Sequence, residues 1–334
     1  MHEQQTLRAQ ICETGRELLQ TGLVARTWGN VSARVDETHF LITPSGMDYL
    51  RITPDDLAVC DAADGKWTGR RKPSGERGVH AVAYQLHPEV QFVIHTHQTY
   101  ATALGLAGYR PGSFTAEERY ALGGVSVAQY ALTGTKQLQT AIAKAMAGGA
   151  RTILMAHHGA LLCARSQHEA MQMAQTLEQA CRRCWQGVLE PAQPIDAQKL
   201  ASLLAKLHHT HPLAQAVQTD ALLTQATLAR PIRAQLDDMA QMIGLCIPLA
   251  ACQAGSIAQA LSKHAAVLVP GIGAVVCGQN ADDTDALGQL ADKAAVCALH
   301  TAALGQDCRL SALDCGLQHL VYQKKYAKQK ETSV

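Results

Sequence analysis

Four histidines fall in two short clusters whose spacing suits a divalent metal. His95-Thr96-His97 closes an apolar run. In a strand, side chains at i and i+2 project to the same face, so these two imidazoles can chelate one ion. A third ligand must come from elsewhere, and His157-His158-Gly159, a turn between two apolar runs, offers two candidates. Three neutral imidazoles with one open position is the pattern of a catalytic rather than a structural zinc site.

Three turns of small residues precede the first cluster: Trp28-Gly29-Asn30-Val31-Ser32, Thr43-Pro44-Ser45-Gly46 and Pro73-Ser74-Gly75-Glu76. Each is rich in backbone and hydroxyl donors, and together they suit a cradle for a phosphate or polyol. Glu76 opens a predicted helix that carries His80 one turn later. A carboxylate near a metal can move a proton.

The elements that must hold these groups are short and mixed. A first helix is predicted from Leu7, Ile11, Leu18 and Leu19, stopping at Gly22. Strands are expected over 31–35, 39–43, 90–97, 125–130, 153–156 and 160–163. Thr53-Pro54-Asp55-Asp56 reads as a capped helix start, and further helices are expected from Thr99 and near Thr133. Ser166-Gln167-His168-Glu169 is a capping box opening a long helix toward Arg183. No steady β–α alternation runs through these elements, which points to a mixed sheet flanked by helices.

Beyond this region the composition shifts. Residues 191–214, with Pro191, Pro194 and the polar run His208-His209-Thr210-His211-Pro212, are expected to be a linker between a first domain over 1–190 and a second over 215–334. The second domain contains a partial repeat. His157-His158-Gly159-Ala160-Leu161-Leu162-Cys163 aligns with Gly271-Ile272-Gly273-Ala274-Val275-Val276-Cys277, 114 residues later. Both histidines are lost there, so this half-copy is expected to be metal-free. Its apolar strands over 266–269 and 274–277 need a sheet to join and are expected to extend or cap the first unit's architecture.

The motifs Gly-Asn-x-Ser at Asn30, Thr-Pro-Ser-Gly at Ser45, Ser-Gly-Glu at Glu76 followed by His80, His-x-His at His95 and the His-His-Gly turn resemble the class II aldolase/adducin superfamily. Within it they are most like the L-fuculose-1-phosphate aldolases. The resemblance covers about residues 5–190. It implies a three-layer α/β/α sandwich around a mixed, largely antiparallel sheet, here with a C-terminal degenerate half-repeat. It also implies Zn2+ or another divalent ion on His95, His97 and His158, with Glu76 as catalytic acid/base. Asn30, Ser45, Gly46, Ser74 and Gly75 match positions that hold the substrate phosphate. Family members assemble as oligomers with sites between subunits, so a homodimer or homotetramer is implied. Two departures stand out. Close aldolases carry a second serine where this chain has Gly75. The family's donor tyrosine, supplied by a neighbouring subunit, falls near Glu117, with Tyr120 three residues away.

The function expected is a metal-dependent lyase acting on a phosphorylated ketose or keto sugar acid. Retro-aldol cleavage and decarboxylation run through the same enediolate, so the metal site alone does not separate them. The alternatives are a sugar-phosphate 4-epimerase, whose relatives generally carry Asp where this chain has Glu76, and a non-enzymatic adducin-like binding protein, which would lack the ligands. A formal net charge of +1 gives no electrostatic reason to expect nucleic acid or a membrane surface as partner. A polar start, no run of roughly 18 apolar residues and eleven scattered cysteines fit a cytoplasmic protein with reduced thiols. Cys181 and Cys184 form a C-x-x-C without a second pair and read as core filler.

Overall fold

The computed structural model describes residues 2–331. It divides into two compact units, Met1–Trp185 and Gln186–Val334.

The first unit runs α1 (His2–Gln20), β1 (Asn30–Arg34), β2 (His39–Ile42), β3 (Ala58–Asp61), β4 (Trp67–Thr68), α2 (Arg77–Leu86), β5 (Phe92–Thr96) and α3 (Thr99–Leu106). It continues with α4 (Ala116–Ala121), β6 (Val125–Ala128), α5 (Lys136–Met146), β7 (Thr152–Met155), β8 (Gly159–Ala164) and α6 (Gln167–Cys184). Its eight strands form one sheet in the order β4-β3-β2-β1-β5-β8-β7-β6. Every neighbouring pair is antiparallel except β6 and β7.

Strand alternation splits the core between the two faces. Val31, Ala33, Phe92, Ile94, Ala160 and Leu162 pack with Ile11 and Leu18 of α1, Leu104 of α3 and Leu177 of α6. Val93, Leu161 and Cys163 pack with Val79 and Ala83 of α2 and Leu138 and Ile142 of α5. The result is the expected three-layer sandwich around a mixed, largely antiparallel sheet. His95 shares its parity with Val93 and so faces the α2 side.

Local expectations differ in two places. Thr53 and Asp56 do form a capping box, but it closes only a single 3-10 turn over Pro54–Asp56. Leu57 is already extended because Ala58 pairs with Ile42 in the sheet. The helix expected near Thr133 starts at Lys136, with the Thr135 hydroxyl capping it by accepting from the Leu138 N–H.

The second unit comprises α7 (Ala197–Leu207), β9 (Gln215–Val217), α8 (Asp220–Thr227), β10 (Ile232–Arg233), α9 (Asp237–Met242) and β11 (Cys246–Ile247). Then follow α10 (Ala254–Leu261), β12 (Ala266–Val269), β13 (Gly273–Val276), α11 (Ala281–Ala303) and α12 (Ala312–Glu331). The segment expected to be a linker therefore carries a helix. Leu200, Leu203, Leu204 and Leu207 of α7 form an apolar stripe that packs against Ile257, Leu261 and Val267. A second correction concerns β12 and β13. They do not extend the first sheet but pair with β9 in a three-stranded sheet, order β12-β13-β9.

This sheet repeats the registers of the first unit. Val269↔Gly273 and Ala266↔Val276 pair as Met155↔Gly159 and Thr152↔Leu162 do. Ala274↔Val217 and Val275↔Ala216 pair as Ala160↔Thr96 and Leu161↔His95 do. The correspondence extends upstream of the part visible in the sequence. Helices α8 and α9 match α3 and α4 in length, and lie as far along the chain from β9 as α3 and α4 do from β5. A carboxylate from the long helix serves the start of the short one in both units. Glu178 accepts from the Tyr100 and Ala101 N–H groups, and Asp292 accepts from Thr219, the N-cap of α8. At the three histidine positions the second unit has Ala216, Gln218 and Ile272.

Candidate metal centre

Strand β5 ends the site. His95, its penultimate residue, is fully buried, and His97 follows just past its end. His158 comes from the turn between β7 and β8. Glycine makes this convergence sterically feasible. A Cβ on Gly159 would lie 2.1 Å from the Thr96 carbonyl oxygen, and one on Gly29 would lie 2.4 Å from the His95 carbonyl oxygen. Gly29 also holds φ at 79°, in the left-handed region. Both turns therefore touch the backbone of β5 only because they lack side chains.

The ring nitrogens meet at one point. His95 Nε2 is 3.1 Å from His97 Nε2 and 2.9 Å from His158 Nε2. His95 Nδ1 donates to the Ala160 carbonyl at 3.0 Å, since a carbonyl only accepts, which leaves the Nε2 lone pair facing the cluster. The Trp28 ring stacks on His97 with centroids 6.3 Å apart. Burial pushes the His95 imidazole well below its ordinary range, against the pull of Glu76, so the ring is neutral as a ligand must be. His157 is not part of the cluster: its ring packs edge-on against Tyr130 at 4.9 Å, and its φ is 66°. Of the adjacent pair, His158 is the one placed to bind.

Glu76 sits at the N-terminal boundary of α2 and points into the same space. Its Oε1 is 3.0 Å from His158 Nε2 and its Oε2 is 3.4 Å from His95 Nε2. Oε1 is buried without a hydrogen-bond partner of good geometry, an orphan acceptor in a cluster of lone pairs.

These residues fit a divalent ion. Zn–N bonds of about 2.0–2.1 Å imply tetrahedral N···N edges of about 3.3 Å, close to the separations above. Among the described residues, this is the one group of three histidine, cysteine or acidic side chains with ligand atoms converging, all within 4.8 Å of one another. The His208–His211 run is not such a group, and His208 and His209 instead approach the backbone carbonyls of Ala214 and Ala205 at 2.9 Å. The C-x-x-C is likewise not a ligand set: Cys181 is core, and Cys184 donates to the Ser113 carbonyl.

The three donor-rich turns adjoin the cluster to different degrees. Asn30 is paired with His95 across β1 and β5, and its Nδ2 donates to Glu76 Oε2 at 2.9 Å. The second and third turns are knitted together: the Ser45 N–H donates to the Lys72 carbonyl and the Ser74 N–H to the Thr43 carbonyl, both at 3.0 Å. The Glu76 N–H in turn donates to Ser74 Oγ at 3.2 Å. Gly46 and Gly75 are exposed beside them. Tyr120 and Glu117 lie on α4; Tyr120 is 89% exposed and takes no part in the cluster. Ser32, the serine of the Gly-Asn-x-Ser motif, and Tyr84, which the sequence did not single out, join His80 in a buried polar chain behind Asn30.

Residues 9–185 match the family model described as Class II Aldolase and Adducin N-terminal domain. The chain is 32% identical over 203 residues to the 5-methylthioribulose-1-phosphate/5-deoxyribulose-1-phosphate aldolase of Rhodospirillum rubrum, covering 60% of this chain and 90% of that protein. It is 31% identical over 208 residues to L-ribulose-5-phosphate 4-epimerase UlaF of Salmonella paratyphi B, covering 58% and 90%. It is 34% identical over 178 residues to L-fuculose phosphate aldolase of Escherichia coli O6:H1, covering 53% and 81%.

Proposed function

The chain belongs to the class II aldolase and adducin family, and from that premise we propose that it is a metal-dependent carbon–carbon lyase acting on a phosphorylated ketose or keto sugar acid. One observation carries the reading: three imidazole nitrogens and the Glu76 carboxylate converge on one point.

His95, His97 and His158 would hold the ion. When bound, it supplies a Lewis acid that polarises a substrate carbonyl. Zinc is the metal we favour, because three imidazoles with an open position suit it. Glu76, ionised and fixed by Asn30, carries the proton to or from the carbon beside that carbonyl. Cleavage also moves a proton at the departing oxygen, which needs a second group. Tyr120 is our candidate: its exposure on α4 suits a donor that serves a neighbouring subunit's site, and so favours a homo-oligomer. Ser45, Gly46, Ser74 and Gly75 would receive the phosphate with N–H and O–H donors, and Asn30 has a second amide hydrogen to offer.

The second unit is, in this reading, a degenerate half-copy without chemistry of its own. Ala216, Gln218 and Ile272 cannot replace three imidazoles. No helix among the described residues is long and apolar enough to cross a membrane, and a cytoplasmic location fits a sugar-phosphate enzyme.

The likeness to an L-ribulose-5-phosphate 4-epimerase supports one competing reading, inversion without net cleavage. Incubating the metal-loaded protein with a panel of phosphorylated ketoses and keto acids and identifying the products separates the two. Two smaller fragments, or carbon dioxide, support the lyase. A stereoisomer of unchanged mass supports the epimerase, and no turnover with any member overturns both.

A further inference from the structure

We propose that His80, Ser32 and Tyr84 are positioning residues, forming a buried hydrogen-bond chain that sets the amide of Asn30 and through it the carboxylate of Glu76. The chain arises from two matched spacings. Glu76, His80 and Tyr84 recur every four residues along one face of α2. Asn30, Ser32 and Arg34 recur every two along one face of β1. The two stripes interlock. Asn30 bonds both Glu76 and His80, Ser32 bonds both His80 and Tyr84, and Arg34 donates to the Tyr84 carbonyl at 2.8 Å. The Arg34 guanidinium also lies over the Tyr84 ring at 4.8 Å.

Chemistry fixes the direction of every bond. Glu76 Oε2 only accepts, so the Asn30 atom 2.9 Å away is its Nδ2 donor. Asn30 Oδ1 then faces His80 Nε2 and only accepts, so His80 carries its proton on Nε2. Because the ring is fully buried, and burial outweighs the pull of the Glu76 carboxylate one turn away, Nδ1 is bare and takes the Ser32 hydroxyl hydrogen across 2.6 Å. Ser32 Oγ, having given its hydrogen, accepts from the Tyr84 hydroxyl at 2.7 Å. All four donors thus point the same way, toward the carboxylate, and polarise one another.

The chain matters because an amide has two nearly isosteric faces. Turned by half a rotation, Asn30 would present Oδ1 to Glu76, placing two acceptors in contact. The Nε2–H of His80 forbids that rotation. Burial, which pushes His80 down to about 3, keeps the ring neutral and the tautomer single. His80 does not approach the metal ligands itself. It acts through Asn30.

The test has two arms. With 15N-labelled histidine, His80 is assigned by the signal lost in His80→Gln, and its ring nitrogens are read in the parent protein. The expected result is the neutral Nε2–H form across pH 6–8, with the Nδ1 resonance shifting in Ser32→Ala. An Nδ1–H tautomer or an imidazolium overturns the chain whatever the reaction proves to be. The kinetic arm rests on the proposed role of Glu76. His80→Met should lower kcat on the order of 10- to 100-fold with KM little changed, and His80→Gln, which keeps a donor toward Asn30, should recover most of it. Should His80→Met fail to fold, Tyr84→Phe, which removes only the outermost donor, should show a smaller fall in kcat with the same unchanged KM. If Glu76→Gln is inactive while His80→Met or Tyr84→Phe keeps full kcat, the positioning role fails and the reading of Glu76 stands. If Glu76→Gln is active, that reading fails on its own.

Discussion

His95 and His158 face each other Nε2 to Nε2 at 2.9 Å, their rings stacked within 15° of parallel. Because the Ala160 carbonyl holds the His95 proton on Nδ1, the facing Nε2 is a bare lone pair. A second lone pair at that distance is tolerable only with a proton or a cation between them.

About one divalent ion per chain should therefore be bound and should be lost from His95→Ala, His97→Ala or His158→Ala, because two imidazoles hold zinc far less well than three. His157→Ala should keep it, as that ring packs on Tyr130 instead. Elemental analysis of the purified variants checks this. Full occupancy in His158→Ala together with loss in His157→Ala would reverse the assignment of the pair.

Glu76→Gln should keep the metal and the fold while turnover falls on the order of 100-fold or more, the range of general acid–base catalysis. The amide is nearly the same size and still accepts from Asn30 Nδ2, but it cannot exchange a proton near neutral pH. Steady-state rates beside metal content decide it. Near-normal turnover would give the proton to another group.

The substrate phosphate should matter, since the Ser45 and Ser74 turns are hydrogen-bonded to each other and to Glu76. Removing it should lower kcat/KM by about 100-fold or more, through loss of several hydrogen bonds to a charged group. A Cβ at Gly75 meets nothing within 4 Å, so Gly75→Ser is sterically free to restore the hydroxyl of the close aldolases. That variant should raise kcat/KM for the phosphorylated substrate by about 2- to 10-fold. Equal kcat/KM with and without phosphate would make these turns plain scaffold.

Acid should destabilise the fold through His80. Its pKa falls from 6.5 to about 3 on folding because burial disfavours the charged ring. The unfolded chain therefore binds the extra proton between those values, and stability drops as pH falls from 6.5 toward 3. The slope from this one group is about 1.4 kcal/mol per pH unit. Denaturant midpoints at pH 7, 6 and 5 in the parent and in His80→Gln check it: the variant should lose stability less steeply. Parallel curves would mean that His80 is already protonated or is solvated in the fold.

The cluster of His95, His97 and His158 was legible in the sequence because histidine at i and i+2 of an apolar run is rare and its geometry is local. His80, Asn30 and Ser32 were visible as parts of motifs, but the bonds that join them, and the part of Tyr84, were not. Ser32 and Tyr84 are ordinary residues for a strand and an amphipathic helix, and the contact between β1 and α2 spans about fifty residues of chain. In the second half, the repeat was readable around Gly159 and Cys163, in the likeness of 142–146 to 257–261, and in the helix that follows each copy. Strand β9 has three residues, no periodic signal and no histidine. Helix α7 was hidden by its polar, proline-bearing flanks, although its four leucines recur at helical spacing.

The turn that carries His158 occurs twice in this molecule. In both copies the fourth residue bonds back to the first: the His158 N–H to the Met155 carbonyl, and the Ile272 N–H to the Val269 carbonyl, each at 3.0 Å. In both the residue between is left-handed, His157 at φ 66° and Gly271 at φ 75°. A side chain in that conformation costs roughly 1–2 kcal/mol, and only the copy with the ligands bears it. The second copy carries glycine, the residue this backbone prefers, and keeps the same strand pairing around it. One backbone turn thus occurs twice in this polypeptide, and among the described residues only one copy presents an imidazole to a histidine cluster.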